Sequence, residues 1–451
     1  MVHSVHTRGR SGITRSGRCR GSIAVGTVAL GLVVSSPMAG AAVARDGSSW
    51  VPVAANGETL RIAAFDVRAD RGIVVMDTHR AGGARFAVAT FRRDRSTGAV
   101  RTGAGTLGLG PSVVLDVVSD RRGGWIVLTH PTDTAGVSRV TRVLGTGRID
   151  TAYGSAGSTI FNVHASTVAV DPPGRTWAVG SGLLSGVPSD LIAVTRLART
   201  GALDPSYGVR GTTLIAPPRD GIAHRLGVAE TAPRFSSGRV AVGPSGGVVI
   251  AGTVSVAQEP PPVAGTGFLT RLDPSGALDS TFGRGGVESY GPIRPVRGVS
   301  TGWYGQALSI EPAFENIYVA GVPALDSKTV VWKRTARGSR YGSFINHGWL
   351  RLHALNQLRL NPLDQTSGLG ATCNGGLWIV DTSLIQVRTR AGRPDRRFAP
   401  AGQISLRGGA QLRRLHASSF DPVGCRVAAA QIGVRGRTAG IVVRWFATPT
   451  R

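Results

Sequence analysis

The chain has 451 residues, of which 41% are hydrophobic and 17% are charged, with 52 Lys and Arg against 26 Asp and Glu. This composition excludes an intrinsically disordered chain, because it holds enough apolar side chains for a large core. The 64 glycines are unevenly spaced, which excludes a collagen-like triple helix. Three cysteines are too few for a disulfide-framework domain or a cysteine-rich metal module.

The start of the chain has the features of a secretory signal peptide. Residues 1–20 contain five arginines and no acidic residue, an apolar run covers 22–34, and small residues lead up to Ala44. The run is too short for a permanent transmembrane helix. We therefore predict a signal peptide at 1–44 and a secreted mature chain at 45–451, with no transmembrane segment after cleavage. An uncleaved anchor is the alternative.

The mature chain is built from a repeated hairpin. Each copy has alternating apolar residues, a turn rich in Gly, Asp and Pro, and a second apolar strand. Seven such copies occur, at Ile62–His79, Val114–His130, Val168–Gly182, Val240–Thr253, Leu308–Val322, Gly370–Thr382 and Ser418–Gln431.

A third strand with one basic residue follows each hairpin, and then a turn and a short fourth strand. The turn glycines Gly98, Gly147, Gly201, Gly276, Gly338 and Gly392 are 49, 54, 75, 62 and 54 residues apart. Four strands per unit at this spacing predict an all-β fold, a single seven-bladed β-propeller of four-stranded blades. The last copy stops at its third strand, so we expect the N-terminal strand Ser49–Val53 to pair with it and close the ring.

The turn segments Gly201-Ala-Leu-Asp-Pro-Ser-Tyr-Gly208 and Gly276-Ala-Leu-Asp-Ser-Thr-Phe-Gly283 resemble the delta-60 repeat family of bacterial secreted propeller-like proteins. About four of the seven copies carry a good motif; the first and fifth lack the Asp. The resemblance implies a propeller and secretion, and it implies no activity.

Recurring charged residues predict structural ion pairs between a turn and a neighbouring strand. The basic set is Arg142, Arg196, Arg271, Arg388 and Arg444, and the acidic set is Asp150, Asp204, Asp279 and Asp395. Cys373 and Cys425 are 52 residues apart in neighbouring units, which favours a disulfide between blades outside the cell over two free thiols.

Polar residues that interrupt the repeat form a candidate ligand site. Asp77, His79, His130 and Asp381 fall where the better hairpins end in Gly, so we expect them at one rim of the propeller. Imidazoles and carboxylates there could hold a ligand or transfer protons, although no metal-ligand spacing occurs. Solvated turn residues are the alternative interpretation.

The sequence favours an extracellular binding or scaffold module without a defensible catalytic centre. One alternative is a polysaccharide-acting propeller enzyme using the rim; another is a cell-envelope structural protein held by basic charge. The expected partners are a cell-wall polymer, an acidic glycan or another protein, not a specific nucleic acid, with the chain a monomer. No metal site, cofactor or ligand can be identified, and the charge is also explained by GC-rich actinobacterial coding bias.

Overall fold

A computed structural model describes residues 48–52, 59–80, 83–93, 100–134, 136–184, 187–215, 234–256, 264–290, 303–311, 315–323, 330–351, 368–381, 384–405, 415–421, 425–435 and 438–447. The signal peptide predicted at residues 1–44 lies outside these ranges. Within them, no helix combines the length and the apolar character needed to cross a bilayer.

The described strands form seven four-stranded antiparallel sheets. In chain order, the first three sheets contain β2–β5 (Thr59–Arg68, Arg71–Arg80, Gly83–Arg93, Val100–Leu107), β6–β9 (Ser112–Ser119, Trp125–Pro131, Ser138–Val143, Ser158–Phe161) and β10–β13 (His164–Val170, Thr176–Leu184, Val187–Leu197, Thr212–Ile215).

The remaining four sheets continue the pattern. They contain β14–β17 (Arg234–Val242, Val248–Val256, Ala264–Leu272, Val287–Tyr290), β18–β21 (Trp303–Ile310, Ile317–Pro323, Val330–Arg334, Trp349–Arg351), β22–β25 (Gly368–Ala371, Leu377–Asp381, Leu384–Arg388, Gln403–Ser405), and β26–β28 (Leu415–Asp421, Arg426–Arg435, Thr438–Ala447) with β1 (Ser48–Pro52). A short helical turn, Ile345–Gly348, and a 3₁₀ turn, Pro400–Gly402, complete the elements.

The sheets follow one another around a ring. The first strand of each sheet contacts the first strand of the next, and β26 of the last sheet contacts β2 of the first. The predicted all-β propeller class is therefore confirmed. Pairing of β1 with β28 sets Ser48 opposite Arg444 and Pro52 opposite Gly440, as expected for closure by the N-terminal strand.

The core lies between neighbouring sheets. Trp177 and Val194 of the third sheet pack with Val240 and Ile250 of the fourth, and the first and seventh sheets share an equivalent cluster. Both faces of most sheets are covered in this way, which explains why second strands such as β7 and β15 are buried over several consecutive residues. Burial between sheets, rather than within one sheet, is what makes a repeat of this kind stable.

Glycines in the third-to-fourth-strand turns bring four of the sheets into close contact with the preceding one. Gly201 has a φ of +89°, and a Cβ there would lie 2.8 Å from the ring of Tyr153 in the sheet before it. Three further glycines make the same contact: Gly276 with Tyr207, Gly338 with Phe282 and Gly392 with Phe344. Only glycine combines this left-handed backbone with such close approach.

We predict that alanine substitutions will separate the two reasons for glycine. Gly201→Ala suffers both the left-handed strain and the clash and should lower the free energy of unfolding by about 3 kcal/mol. Gly285 has a φ of +62°, but a Cβ there would meet no atom within 4 Å. Gly285→Ala should therefore lower the free energy of unfolding by about 1 kcal/mol. Gly342→Ala has neither problem and serves as the control, within about 0.5 kcal/mol of the parent. Urea unfolding measures all three, and equal losses would contradict the contact argument.

Candidate functional site

The sheets present two ends to solvent. At one end lie the hairpin turns between first and second strands and the longer turns between third and fourth strands. We call this end the turn face, and its longer turns are residues 144–157, 198–211, 273–286, 335–348 and 389–402. The second strands end at the other end, which carries the predicted rim. Antiparallel pairing within every sheet fixes this division.

On the turn face, three of the predicted ion pairs are confirmed. Arg142 pairs with Asp150, and Arg196 Nε lies 2.8 Å from Asp204 Oδ2. Arg271 Nε lies 3.0 Å from Asp279 Oδ2. In each case an arginine near the end of the third strand holds the carboxylate eight residues later in the turn.

Two of these arginines, Arg196 and Arg271, also reach the next sheet. Arg196 donates through Nη1 to the carbonyl of Pro274, and Arg271 Nη1 donates to the carbonyl of Ala336 at 2.8 Å. The Arg196 guanidinium also lies 4.6 Å from the centroid of the Tyr207 ring. Each of these guanidinium groups thus neutralises the aspartate of its own turn and donates a hydrogen bond to a backbone carbonyl of the next turn. This role is structural.

A second acidic position, at the end of the first strands, was not found from the sequence. Asp120 Oδ2 accepts from Arg142 Nε at 2.9 Å, and its Oδ1 accepts from the backbone N–H groups of Arg122 and Gly124. Asp171 accepts from Arg175 and Trp177 in the corresponding hairpin turn. The sequence feature that could have predicted this position is an aspartate directly before a glycine-containing hairpin turn.

The fifth sheet carries the same connection with different residues. Lys333 replaces the arginine, and its Nζ lies 3.6 Å from Glu311 Oε2 with both side chains fully buried. Nζ also donates to the Tyr318 hydroxyl at 2.7 Å. Burial lowers the pKa of Lys333 to about 8 against the opposing effect of Glu311, and burial raises the pKa of Tyr318 well above its ordinary value.

One assignment within the recurring basic set is wrong. The backbone N–H of Asp395 donates to the carbonyl of Val387, just as that of Asp204 donates to the carbonyl of Arg196. Val387, not Arg388, therefore occupies the position equivalent to Arg196. Arg388 is therefore one residue out of register and donates to the carbonyl of Gly392 instead. Asp395 pairs with Arg397 at 2.8 Å. The side chain of Arg444, in β28, lies outside the described part.

The predicted disulfide is present. Cys373 and Cys425 are bonded, with their Cα atoms 5.7 Å apart. Cys373 lies in the hairpin turn of the sixth sheet and Cys425 in that of the seventh. The bond therefore joins the sheet in which β1 pairs with β28 to its neighbour.

The rim residues occupy equivalent strand ends, but only one of their side chains is described. Asp77 and His79 lie in the last four residues of β3, and Asp381 ends β23; their side chains lie outside the described part. His130 lies near the end of β7 and contacts the third sheet. Among the described residues, no group of three or more His, Cys, Asp or Glu side chains is placed to hold a metal ion.

His130 forms a histidine pair that sequence reasoning missed. Its Nε2 donates to the carbonyl of Ala165 at 2.7 Å, and its ring centroid lies 3.9 Å from that of His164. Burial, together with the charge of His164, lowers the pKa of His130 to about 4, against the effect of the hydrogen bond. His130 is thus a neutral imidazole with its Nε2 proton engaged at neutral pH.

A buried carboxyl lies among the first strands that line the ring. Asp116 Oδ2 accepts from Thr167 Oγ1 at 2.8 Å and from the backbone N–H of Val168 at 3.1 Å. Arg239 Nη1 lies 3.8 Å from the same oxygen. Burial raises the pKa of Asp116, and Arg239 opposes this change. The group links the first strands of three consecutive sheets at positions where β-bulges occur.

Comparisons with known proteins concern the fold alone. No family model matches the chain, and no curated protein matches it. Similar solved structures include polysaccharide lyase Uly1 (TM-score 0.46, 9% identity, covering 88% of this chain and 92% of that one) and the β-propeller domain of the Trilobed protease from Pyrococcus furiosus (TM-score 0.43, 9% identity, 86% and 93%). Another is the gluconolactonase XC5397 from Xanthomonas campestris (TM-score 0.35, 14% identity, 71% and 82%). Similarities this low carry no argument about activity.

We predict that the turn carboxylates make the protein acid-sensitive. Hydrogen bonds from Thr281, together with Arg271, lower the pKa of Asp279 against the effect of burial. The unfolded chain then binds more protons, so this stabilisation is present above the unfolded pKa of about 4 and is lost as the pH falls through the lower folded value. Asp279→Asn should cost about 1–2 kcal/mol at pH 7 and flatten the loss below pH 4. Urea unfolding across pH 2–7 measures this, with the exposed Asp133→Asn as the control; an unchanged acid profile would exclude the pair as its source.

We also predict a distinct pH range for His130. Its folded pKa of about 4 lies below the unfolded value of about 6.5, so the stability present above pH 6.5 decreases as the pH falls toward 4. Nitrogen NMR of the imidazole should show His130 neutral at pH 5.5, and His130→Gln should flatten the stability profile between pH 6.5 and 4. A protonated His130 ring at pH 5.5 would contradict the burial argument.

Proposed function

We propose that the chain is a secreted, seven-bladed β-propeller of the delta-60 repeat type, each sheet one blade, and that it acts as an extracellular binding or scaffold module. Its proposed ligands are a cell-wall polymer, an acidic glycan or another protein. The mature chain is residues 45–451 in this proposal.

The contrast between the two ends of the sheets carries the proposal. On the turn face, the turns 144–157, 198–211, 273–286, 335–348 and 389–402 all have the same length and repeat the same contacts. At the opposite end, the connections from a fourth strand to the next first strand differ greatly. Two residues separate β9 from β10 (162–163), whereas 216–233 separate β13 from β14 and 352–367 separate β21 from β22.

Uniform turns and variable connections indicate different constraints. A turn that must match its neighbours around a ring cannot change length without losing contacts with the adjacent sheet. Connections without that constraint are where proteins of repeated architecture place ligand-binding residues. The opposite end is therefore the proposed binding end. The rim residues Asp77, His79, His130 and Asp381 lie at strand ends there, but the proposed binding does not depend on them.

The alternatives have less support. A polysaccharide-acting enzyme at the rim would use the four rim residues together, yet the described contacts of His130 are with His164 and Ala165. An envelope protein held only by its basic charge would need no variable end. Both stay predictions from the sequence.

Binding can be tested by a thermal-shift screen of purified residues 45–451. The panel contains neutral glycans, acidic glycans, wall polymers and divalent metals with a chelator control, each at low and moderate salt. A ligand that binds only the folded state stabilises it, by about 2.7 kcal/mol at one hundred times its Kd. We expect at least one saturable, salt-resistant shift that survives Asp77→Ala and His130→Ala.

The other results are equally decisive. A shift abolished by either substitution would transfer the assignment to the rim and support an enzyme or metal site. Shifts that occur only with polyanions and disappear in salt would support attachment by charge. A flat screen followed by failure to capture a partner from cell-surface extracts would overturn the proposal.

A further inference from the structure

Unpaired arginines project from the turn face of five consecutive sheets. Each of the five long turns carries at least one exposed arginine: Arg148, Arg199, Arg284, Arg337 and Arg393. Three of these turns carry a further exposed arginine, namely Arg210, Arg340 and Arg396. None of them forms an ion pair with any residue in the described part of the chain. The repeat therefore presents a cation at intervals around the ring.

The acidic residues on the same turns do not offset these arginines. Asp150, Asp204, Asp279 and Asp395 are each held in an ion pair with a specific arginine. Asp273 instead accepts backbone and Ser275 hydrogen bonds at the start of its turn. Since each of these carboxylates is already paired or hydrogen-bonded within the protein, the electrostatic potential in front of the turn face is positive.

We propose that the turn face binds a linear, flexible phosphodiester polymer of the poly(glycerol phosphate) type, which runs from turn to turn. This inference rests on the proposed binding function and deepens it by naming a ligand class and a second surface. It moves recognition of anionic polymers from the variable end to the end formed by uniform turns.

The chemistry of the surface selects this class of ligand. A guanidinium donates two parallel hydrogen bonds to the unesterified oxygens of a phosphate, and it remains charged at any extracellular pH. Exposed arginines on five successive turns, rather than in one cleft, match a ligand that carries anions along its whole length. Many weak contacts along one chain then give useful avidity.

The ring geometry argues against a stiff polyanion. The turns succeed one another around a closed ring of sheets, so a ligand that contacts several of them must bend within the width of one domain. Duplex DNA is stiff over about 50 nm and would contact only a tangent of the ring. A flexible single-chain polymer can follow the turns.

The experiment compares two variants with equal charge loss. Arg199→Gln, Arg337→Gln and Arg393→Gln together remove three cations from the turn face. The control combines Arg219→Gln, Arg225→Gln and Arg297→Gln, in the connections 216–233 and 291–302 that join strand ends at the opposite end. Binding of residues 45–451 to poly(glycerol phosphate) is measured by calorimetry at 50 and 200 mM salt, after unfolding curves confirm that both variants are folded.

We expect the turn-face variant to lose about tenfold or more in affinity at low salt and to show a shallower dependence of affinity on salt. The control should bind like the parent. Equal losses in the two variants would overturn the proposal in favour of undirected net charge. Tighter binding to duplex DNA, polygalacturonate or anionic vesicles would also overturn it. A neutral glycan bound at the opposite end with no polymer binding would leave the proposed function standing and refute this inference alone.

Discussion

The contact between a turn glycine and the aromatic ring of the preceding sheet is the constraint on which the rest of the structure depends. Gly201 lies against Tyr153, and Gly276 lies against Tyr207, each with a backbone that disfavours any other residue. The aromatic residue follows its own glycine by six positions, so the turns 198–211, 273–286 and 335–348 each contribute a glycine to one neighbour and a ring to the other. A chain of identical two-sided contacts can extend only if the turns keep one length.

The charged residues are arranged by the same constraint. The aspartate lies midway between glycine and aromatic residue, where its backbone N–H bonds to the carbonyl of the third-strand arginine. That arginine then contacts the carboxylate and a carbonyl of the next sheet. In the fifth sheet Tyr341 replaces the aspartate, and the cation, now Lys333, is neutralised by Glu311 from the first strand. A cation that is neutralised by a carboxylate recurs between neighbouring sheets, while the residue that supplies the carboxylate differs.

Sequence reasoning predicted the features that repeat and failed where register or space decides. The hairpins, the β1–β28 closure, the disulfide and three Arg–Asp pairs all follow from spacing along the chain. Arg388 was misassigned because Val387 and Arg388 are adjacent in an apolar strand, and only strand pairing shows which one faces Asp395. The Asp120 and Glu311 partners were missed because they come from the first strand, more than twenty residues before the cation. The His130–His164 pair joins two sheets at a point where the sequence shows no repeat.

The pairing of the turn carboxylates within the protein also determines which ligands the turn face can bind. Every acidic side chain of the five long turns is paired or hydrogen-bonded within the fold, so a ligand on this face meets exposed arginines and no free carboxylate. The opposite end differs, because its connections vary in length from two residues at 162–163 to eighteen at 216–233. A repeat that requires uniformity at one end leaves shape and chemistry at the other free to vary. The proposed recognition of an anionic polymer therefore belongs to the uniform side, and the proposed recognition of a ligand of specific shape belongs to the variable side.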